Sequence, residues 1–284
     1  MKVKFYDYIT DYLTDIESAL LKNEAENNLI LGIANQISLN PALYQNNPFL
    51  LSIFERSELK LTGLMTPPHK LILSSCNEHL TEAIRAGAEA LTEKQCKIPG
   101  IIAKSDIAFE FSQIWAELNQ LRVREGLSEK LYILEKVKPH KSAQGKMRLA
   151  DSSEMDLLIN WAGKFILEIK TEPSGFDPTP LIKSKIEKRE LYIWESDKKK
   201  VSMAAQTRPT KNGIIINLVY TPKEFRNRGY CTSLTASLSQ HLLESGYNFC
   251  CLFTDIHNPI SNKIYQKIGY FPITDFQEYY FDES

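Results

Sequence analysis

The residues with the clearest chemical use lie between Val219 and Thr232, in the run VYTPKEFRNRGYCT. An apolar, β-branched stretch from Gly213 to Tyr220 ends at Thr221-Pro222. A short basic loop follows, and a helical pattern begins where the loop ends. The first N–H groups of a helix lack partners and carry partial positive charge, so such a junction suits a phosphate-bearing ligand. Arg226 and Arg228 add fixed charge, Gly229 lets the backbone approach a ligand, and Cys231 is small enough not to obstruct it. Asn227, Tyr230 and Thr232 belong to the same run. It is neither a Gly-Lys-Ser/Thr phosphate loop nor a GxGxxG turn. Taken alone, it suits a basic surface turn equally well.

A second constellation lies downstream, from Asn258 through Asn262 and Tyr265 to Gly269-Tyr270. Asn258 is a good helix N-cap with Pro259 in the first helical position, which accounts for Asn258 by itself. Ile260, Ile264 and Ile268 fall at helical spacing, and Tyr265 sits one step off that stripe, able to edge into a cleft or to pack beneath the last strand. Groups able to accept a proton near strand ends are Asp255, His257 and Glu195; Asp255 reads more readily as an exposed turn acid. His69, His79, His140 and His241 show no ligand spacing, His241 falling on a helix's apolar stripe, and no metal is expected.

Alternating strands and helices must position these residues. Leu191 to Trp194 and Val201 to Ala205 flank a charged turn, as in an antiparallel hairpin. Asp151 to Glu154 opens a helix with a capping-box pattern. A helix from about Gly229 to Ser245 ends at Gly246. The strand Phe249 to Phe253 follows, then the Asn258 helix, then an aromatic strand from Phe276 to Phe281. The order describes an α/β (α+β) domain around a mixed sheet flanked by helices. The polar run Pro139 to Lys146 reads as a linker, dividing the chain into 1–138, 139–146 and 147–284. In the first half, Leu61 to Pro68 echoes Val201 to Pro209, each after a charged turn, at an offset near half the chain.

Composition narrows the setting. With 34 basic against 35 acidic residues, the net charge of −1 provides no field to gather nucleic acid. Acids at positions 7, 11, 15 and 17 interrupt any leader-like apolar run, and no stretch approaches the roughly 20 apolar residues of a membrane span. Five cysteines without metal-type spacing (Cys76, Cys96, Cys231, Cys250 and Cys251) fit reduced thiols and a cytoplasmic location. Adjacent Cys250 and Cys251 would fill opposite faces of one strand.

Arg226, Gly229 and Cys231 occupy the three defined positions of Arg/Gln-x-x-Gly-x-Gly/Ala, Cys231 replacing the usual Gly or Ala. Asn258 to Tyr270 fits Asn-x-x-(Ala/Ser)-x-x-x-Tyr-x-x-x-Gly-Phe/Tyr, one helix and one strand further on. In this order the two blocks resemble the GNAT superfamily of N-acetyltransferases, over roughly Met147 to Phe281. The whole chain resembles bacterial predicted acetyltransferases with a degenerate N-terminal GNAT-like half, on Asn27 to Gly32 and Thr66 to His69. The resemblance implies a tandem fold whose second half binds acetyl-CoA and transfers its acetyl group to a primary amine by direct attack. It implies that Val219, Tyr220 and Thr221 pair their backbone with the pantetheine arm. The loop from Arg226 to Thr232 would hold the pyrophosphate, and Asn258 and Asn262 would touch the pantetheine. Tyr265 would protonate the departing thiolate, and Asp255 is the preferred base. The expected partners are acetyl-CoA and an amine acceptor, without nucleic acid or membrane, in a monomer or homodimer whose first half shapes the acceptor cleft or replaces a dimer partner. The alternative is a CoA- or acyl-CoA-sensing protein without turnover.

Overall fold

The computed structural model describes residues 1–41, 47–75, 77, 80–169 and 176–283; Cys76 and His79 lie outside them. Ten elements occur twice in one order, β-α-α-β-β-β-α-β-α-β. The first set is β1 (Lys2–Tyr6), α1 (Ile9–Leu20), α2 (Asn28–Leu39), β2 (Phe49–Glu55), β3 (Glu58–Met65), β4 (Leu71–Ser74), α3 (Thr81–Glu93), β5 (Gly100–Lys104), α4 (Ser105–Asn119) and β6 (Leu121–Leu134). The second is β7 (Lys146–Leu149), α5 (Met155–Ile169), α6 (Thr179–Glu187), β8 (Leu191–Ser196), β9 (Lys199–Thr207), β10 (Gly213–Tyr220), α7 (Tyr230–Glu244), β11 (Phe249–Asp255), α8 (Pro259–Ile268) and β12 (Phe271–Glu283).

The chain divides into two compact units, and they differ from a simple cut at 139–146. One holds Met1–Leu131, Arg208–Lys211 and Ile273–Ser284; the other holds Tyr132–Thr207 and Asn212–Pro272. The final strand of the second repeat therefore completes the first unit, where β12 runs antiparallel to β5 with Phe276 opposite Lys104 and Tyr280 opposite Gly100. The sheet there runs β1-β2-β3-β4-β5-β12 and is mixed, because β4 and β5 are parallel. Its core lies under α3 and α4, where Phe111 stacks on Trp115 at 5.8 Å and Tyr279 of β12 joins the cluster. A fully buried side chain of this size contributes roughly 1.5–3 kcal/mol.

The second unit has the order β11-β10-β9-β8-β7, with helices on both faces. One face packs on α7 and α8 through Leu234, Leu238, Tyr265 and Ile268, and the other on α5 and α6 through Leu158, Trp161 and Ile182. Asp151 accepts from Ser153 N–H, and Glu154 accepts from Asp151 N–H, closing the capping box. Cys250 and Cys251 are both fully buried, and burial pushes the Cys250 thiol up to about 12, as befits an inert filler.

The β2–β3 and β8–β9 hairpins turn through paired left-handed residues, Arg56 and Ser57 (φ 48° and 69°) and Asp197 and Lys198 (φ 49° and 63°). Two positive φ values match the twist of the flanking strands. Each hairpin has a bulge at the same place, after the pairs Glu55–Glu58 and Phe54–Leu59, or Ser196–Lys199 and Glu195–Lys200. Counted from these turns, Ser202 corresponds to Leu61. The echo read from sequence, which sets Ser202 against Thr62, is one residue out of register. A slip of one residue exchanges the two faces of a strand.

Two expected helix stripes also need correction. The buried face of α8 follows Ile264, Tyr265 and Ile268, whereas Ile260 is 68% exposed. On α7, His241 is exposed and meets Tyr192 edge-on at 5.9 Å. Both lie at the margin of an apolar stripe, where one helical step carries a side chain into water.

Candidate functional site

Strand β10 begins in regular pairing and ends out of it. Gly213, Ile214 and Ile215 pair in parallel with Phe249, Cys250 and Cys251 of β11, and the ladder stops there. On its other side β10 continues against β9, with a bulge between Asn217 and Tyr220. Leu218 takes φ 50° at that bulge, a left-handed conformation uncommon for a residue other than glycine. β10 and β11 thus part company toward the carboxyl end of β10. Ser202 fixes this end from β9: its hydroxyl donates to Tyr220 C=O (3.0 Å) and lies 2.8 Å from the Thr221 hydroxyl. Val219 is half-buried, with its side chain on the α7 side of the core.

Beyond Thr221 the chain makes a helical turn at Lys223–Phe225 and enters the basic loop. Asn227 (φ 63°) and Gly229 (φ 79°) are both left-handed, and Gly229 is the residue before α7. A Cβ there would meet only Ala143 Cβ, at 3.7 Å, so the positive φ and not crowding calls for glycine. Ser233 N–H donates to Gly229 C=O, which leaves the preceding N–H groups, those of Tyr230, Cys231 and Thr232, at the open end of the helix. The first turn of α7 contains no acid. Asn227 and Arg228 are exposed, Tyr230 and Cys231 half-buried, and Thr232 buried.

Arg226 is less free than the sequence suggests. Its Nε donates to Thr221 C=O (2.8 Å), and one terminal nitrogen meets both Glu168 oxygens at 2.9 and 2.7 Å. Its guanidinium also lies 5.7 Å from the centre of the Tyr220 ring. Arg226 thus ties the loop to the end of β10 and to α5. Glu168, 58 residues upstream, carried no local sequence signal as its partner.

Tyr265 lies inside the core of the second unit, 6.4 Å from the Tyr132 ring and 6.0 Å from the Tyr270 ring. Burial raises its phenol far above the ordinary value, and the nearby Cys231 adds to this. Burial likewise pushes the Cys231 thiol up to about 11, against smaller lowering effects of Thr235 and Arg226. The first turn of α7 and α8 therefore lie close enough for Cys231 to act electrostatically on Tyr265.

The remaining candidates have structural partners. Asn258 caps α8 by accepting from Ser261 N–H (3.1 Å), and Asn262 Nδ2 donates to Asp255 C=O (3.1 Å) and Asn258 C=O (2.8 Å). Asn262 Oδ1 is buried without a partner among the described residues, an acceptor left over for a donor. Asp255 Oδ1 accepts from His257 N–H (2.8 Å) and lies 3.3 Å from His257 Nδ1, at the turn leaving β11. Glu195 is held by Arg148 at 2.8 and 2.9 Å, and Arg148 also binds the buried Glu154. The described residues contain no group of three or more His, Cys, Asp or Glu able to hold a metal, and no helix long and apolar enough to cross a membrane.

Residues 195–281 match the family described as FR47-like protein. No curated protein matches the sequence. A GNAT-family acetyltransferase from Colwellia psychrerythraea shares the fold over 100% of both chains, at TM-score 0.59 and 10% identity. A Drosophila protein does so over 99% of each, at TM-score 0.69 and 9% identity. A GCN5-related N-acetyltransferase from Sphaerobacter thermophilus is similar over 98% of this chain and 94% of its own, at TM-score 0.59 and 9% identity. Identity this low establishes architecture alone. The chain has the tandem fold of GNAT-family acetyltransferases, with its FR47-like match beginning in β8.

Proposed function

We propose that the second unit binds acetyl-CoA and transfers the acetyl group to a primary amine. The observation that carries this reading is the parting of β10 from β11 after Ile215, ahead of a bulge against β9 and a loop that leads straight into the start of α7. A pantetheine arm can pair with the backbone of Val219 to Thr221 while its pyrophosphate takes the N–H groups of residues 230–232. Asn227, Arg228, Gly229 and Arg226 shape and charge that cradle. Asn262, with its spare buried acceptor, suits an amide N–H of the pantetheine, and Asn258 sets the helix that carries it.

The amine nitrogen attacks the thioester carbonyl, forming the C–N bond while the C–S bond breaks. An N–H near Val219 to Thr221 polarises the carbonyl. Tyr265, like any tyrosine, carries its proton at neutral pH, burial holding it more firmly still, and it offers that proton to the departing sulfur. Asp255, at the carboxyl end of β11, accepts the amine proton through water. Calorimetry with acetyl-CoA tests the reading, and no binding at millimolar ligand sinks it.

One observation favours a second reading, a CoA sensor without turnover. Glu195 and Asp255, the acids nearest the strand ends, both have partners already. Absence of CoA release by the wild type across a broad amine panel, with acetyl-CoA bound, would decide for the sensor.

A further inference from the structure

We propose that Glu168 is a built-in competitor for the cofactor: its carboxylate holds the Arg226 guanidinium until a phosphate of acetyl-CoA displaces it. The proposal rests on reading the second unit as an acetyl-CoA site. Arg226 opens the basic loop ahead of α7, yet its charge is already matched. One terminal nitrogen meets both Glu168 oxygens, at 2.9 and 2.7 Å, as it would meet two oxygens of a phosphate. Its Nε is committed separately, to Thr221 C=O at 2.8 Å, which keeps the guanidinium at the end of β10 whichever anion faces it.

The guanidinium is also within electrostatic reach of the helix start. At Cys231, in the first turn of α7, burial raises the thiol while Thr235 and Arg226 work against it. A pyrophosphate on the N–H groups of residues 230–232 therefore lies in the field of the same guanidinium. Glu168 and that pyrophosphate repel one another across a single cation, so each weakens the hold of the other.

Glu168 is placed to yield. It is the last residue but one of α5, and the last turn of that helix contains no basic residue. A carboxylate there faces the negative end of its own helix, which disfavours it. Arg226 is its one ion-pair partner among the described residues, and both side chains are 39% exposed, a setting in which a pair adds little stability. A pyrophosphate carries more charge than a carboxylate and gains the helix N–H groups besides. The end of α5 is thus tied to the loop in the free protein and let go when the cofactor enters.

Calorimetry with acetyl-CoA on the wild type, Glu168→Gln, Arg226→Gln and the double variant tests this. Glu168→Gln should bind acetyl-CoA about threefold more tightly than the wild type, with the gain shrinking as salt rises. Glutamine at 226 keeps a donor for Thr221 C=O and leaves the helix N–H groups in place. In that background Glu168→Gln should change the affinity by less than about 1.5-fold, since no guanidinium is left to release. Unchanged affinity in Glu168→Gln overturns the competitor alone; so does weaker binding, which would make Glu168 a support that positions Arg226. An equal gain with and without Arg226 overturns it too, because removing a negative charge would then suffice. Failure of the wild type to bind acetyl-CoA overturns the cofactor reading, and the competitor with it.

Discussion

Helices α3 and α7 begin at the same point in the repeated order of elements, and their surroundings differ in nearly every respect that matters to an anion. The strand before α3 is four residues long and pairs directly with β5 through Leu71 and Ile72. The strand before α7 is eight residues long, bulges at Leu218 and departs from β11 halfway. Residues 75–80 contain neither lysine nor arginine, and Glu82 stands in the first turn of α3. Residues 223–228 contain three basic residues against one acid, and the first turn of α7 has none. Corresponding positions in the hairpins differ too: Ser202 braces the end of β10, whereas Leu61 packs in a core. A duplicated architecture does not carry a duplicated site. The features on which the proposed anion site rests are a bulge, a loop and a hydroxyl, all of which can be lost while the sheet and helices remain.

The harshest test of this contrast is to load both helix starts with negative charge. Arg226→Glu/Gly229→Glu should weaken acetyl-CoA binding by at least about 100-fold, or about 2.7 kcal/mol, with the circular dichroism of the wild type. Thr81→Glu, at the first position of α3, should leave the affinity within about twofold. Persistent binding in the double variant would make the loop assignment wrong.

Next in size is Tyr265→Phe, which should slow CoA release roughly 100-fold while acetyl-CoA affinity stays within about threefold. A thiol-trapping assay reads the first and calorimetry the second. Unchanged turnover would reduce Tyr265 to a core residue.

A paired substitution in the hairpins sharpens the comparison further. Leu61→Ala should cost about 2–5 kcal/mol in urea unfolding and leave acetyl-CoA affinity alone. Ser202→Ala should cost only about 1–2 kcal/mol yet weaken acetyl-CoA severalfold, because Tyr220 C=O loses its donor. Equal ligand effects from the two would erase the distinction.

The smallest effect concerns acid. Burial raises the carboxyl of Glu154, but hydrogen bonds from Arg148 and Asp151 N–H lower it more, and the net value lies below that of an ordinary glutamate. Because the folded value is depressed, this contribution is present above the ordinary glutamate value and disappears as pH falls through the folded one. Glu154→Gln should flatten the acid limb of the thermal stability curve by roughly 1 kcal/mol. An unaltered limb would show that the Arg148 cluster has no part in acid sensitivity.

The second repeat was largely legible in sequence because its signals are local. Gly229, Gly246 and Gly269 mark where positive φ is needed, Asn258-Pro259 starts a helix, and the β8–β9 turn is set by adjacent residues. What sequence could not supply was each partner from afar. Arg226 reads as a free cation until Glu168 meets it, and Pro139 to Lys146 reads as a linker until Ser233 and Trp194 fasten it. Tyr265 lies one step from an apolar stripe on paper, and only packing shows that it belongs to the buried face. The division into units was hidden for the same reason, since strand pairing between Ala103 and Gln277 leaves no trace in the neighbourhood of either.

That last pairing constrains the order in which the protein can be made. The first unit includes residues 273–283, so a growing chain that has finished the first repeat still lacks a strand for β5 and the rings of Tyr279 and Phe281. At the usual pace of a ribosome the wait is on the order of ten seconds, with a bare strand edge and an incompletely covered apolar core. The earliest-made part of the molecule is therefore among the last to be completed.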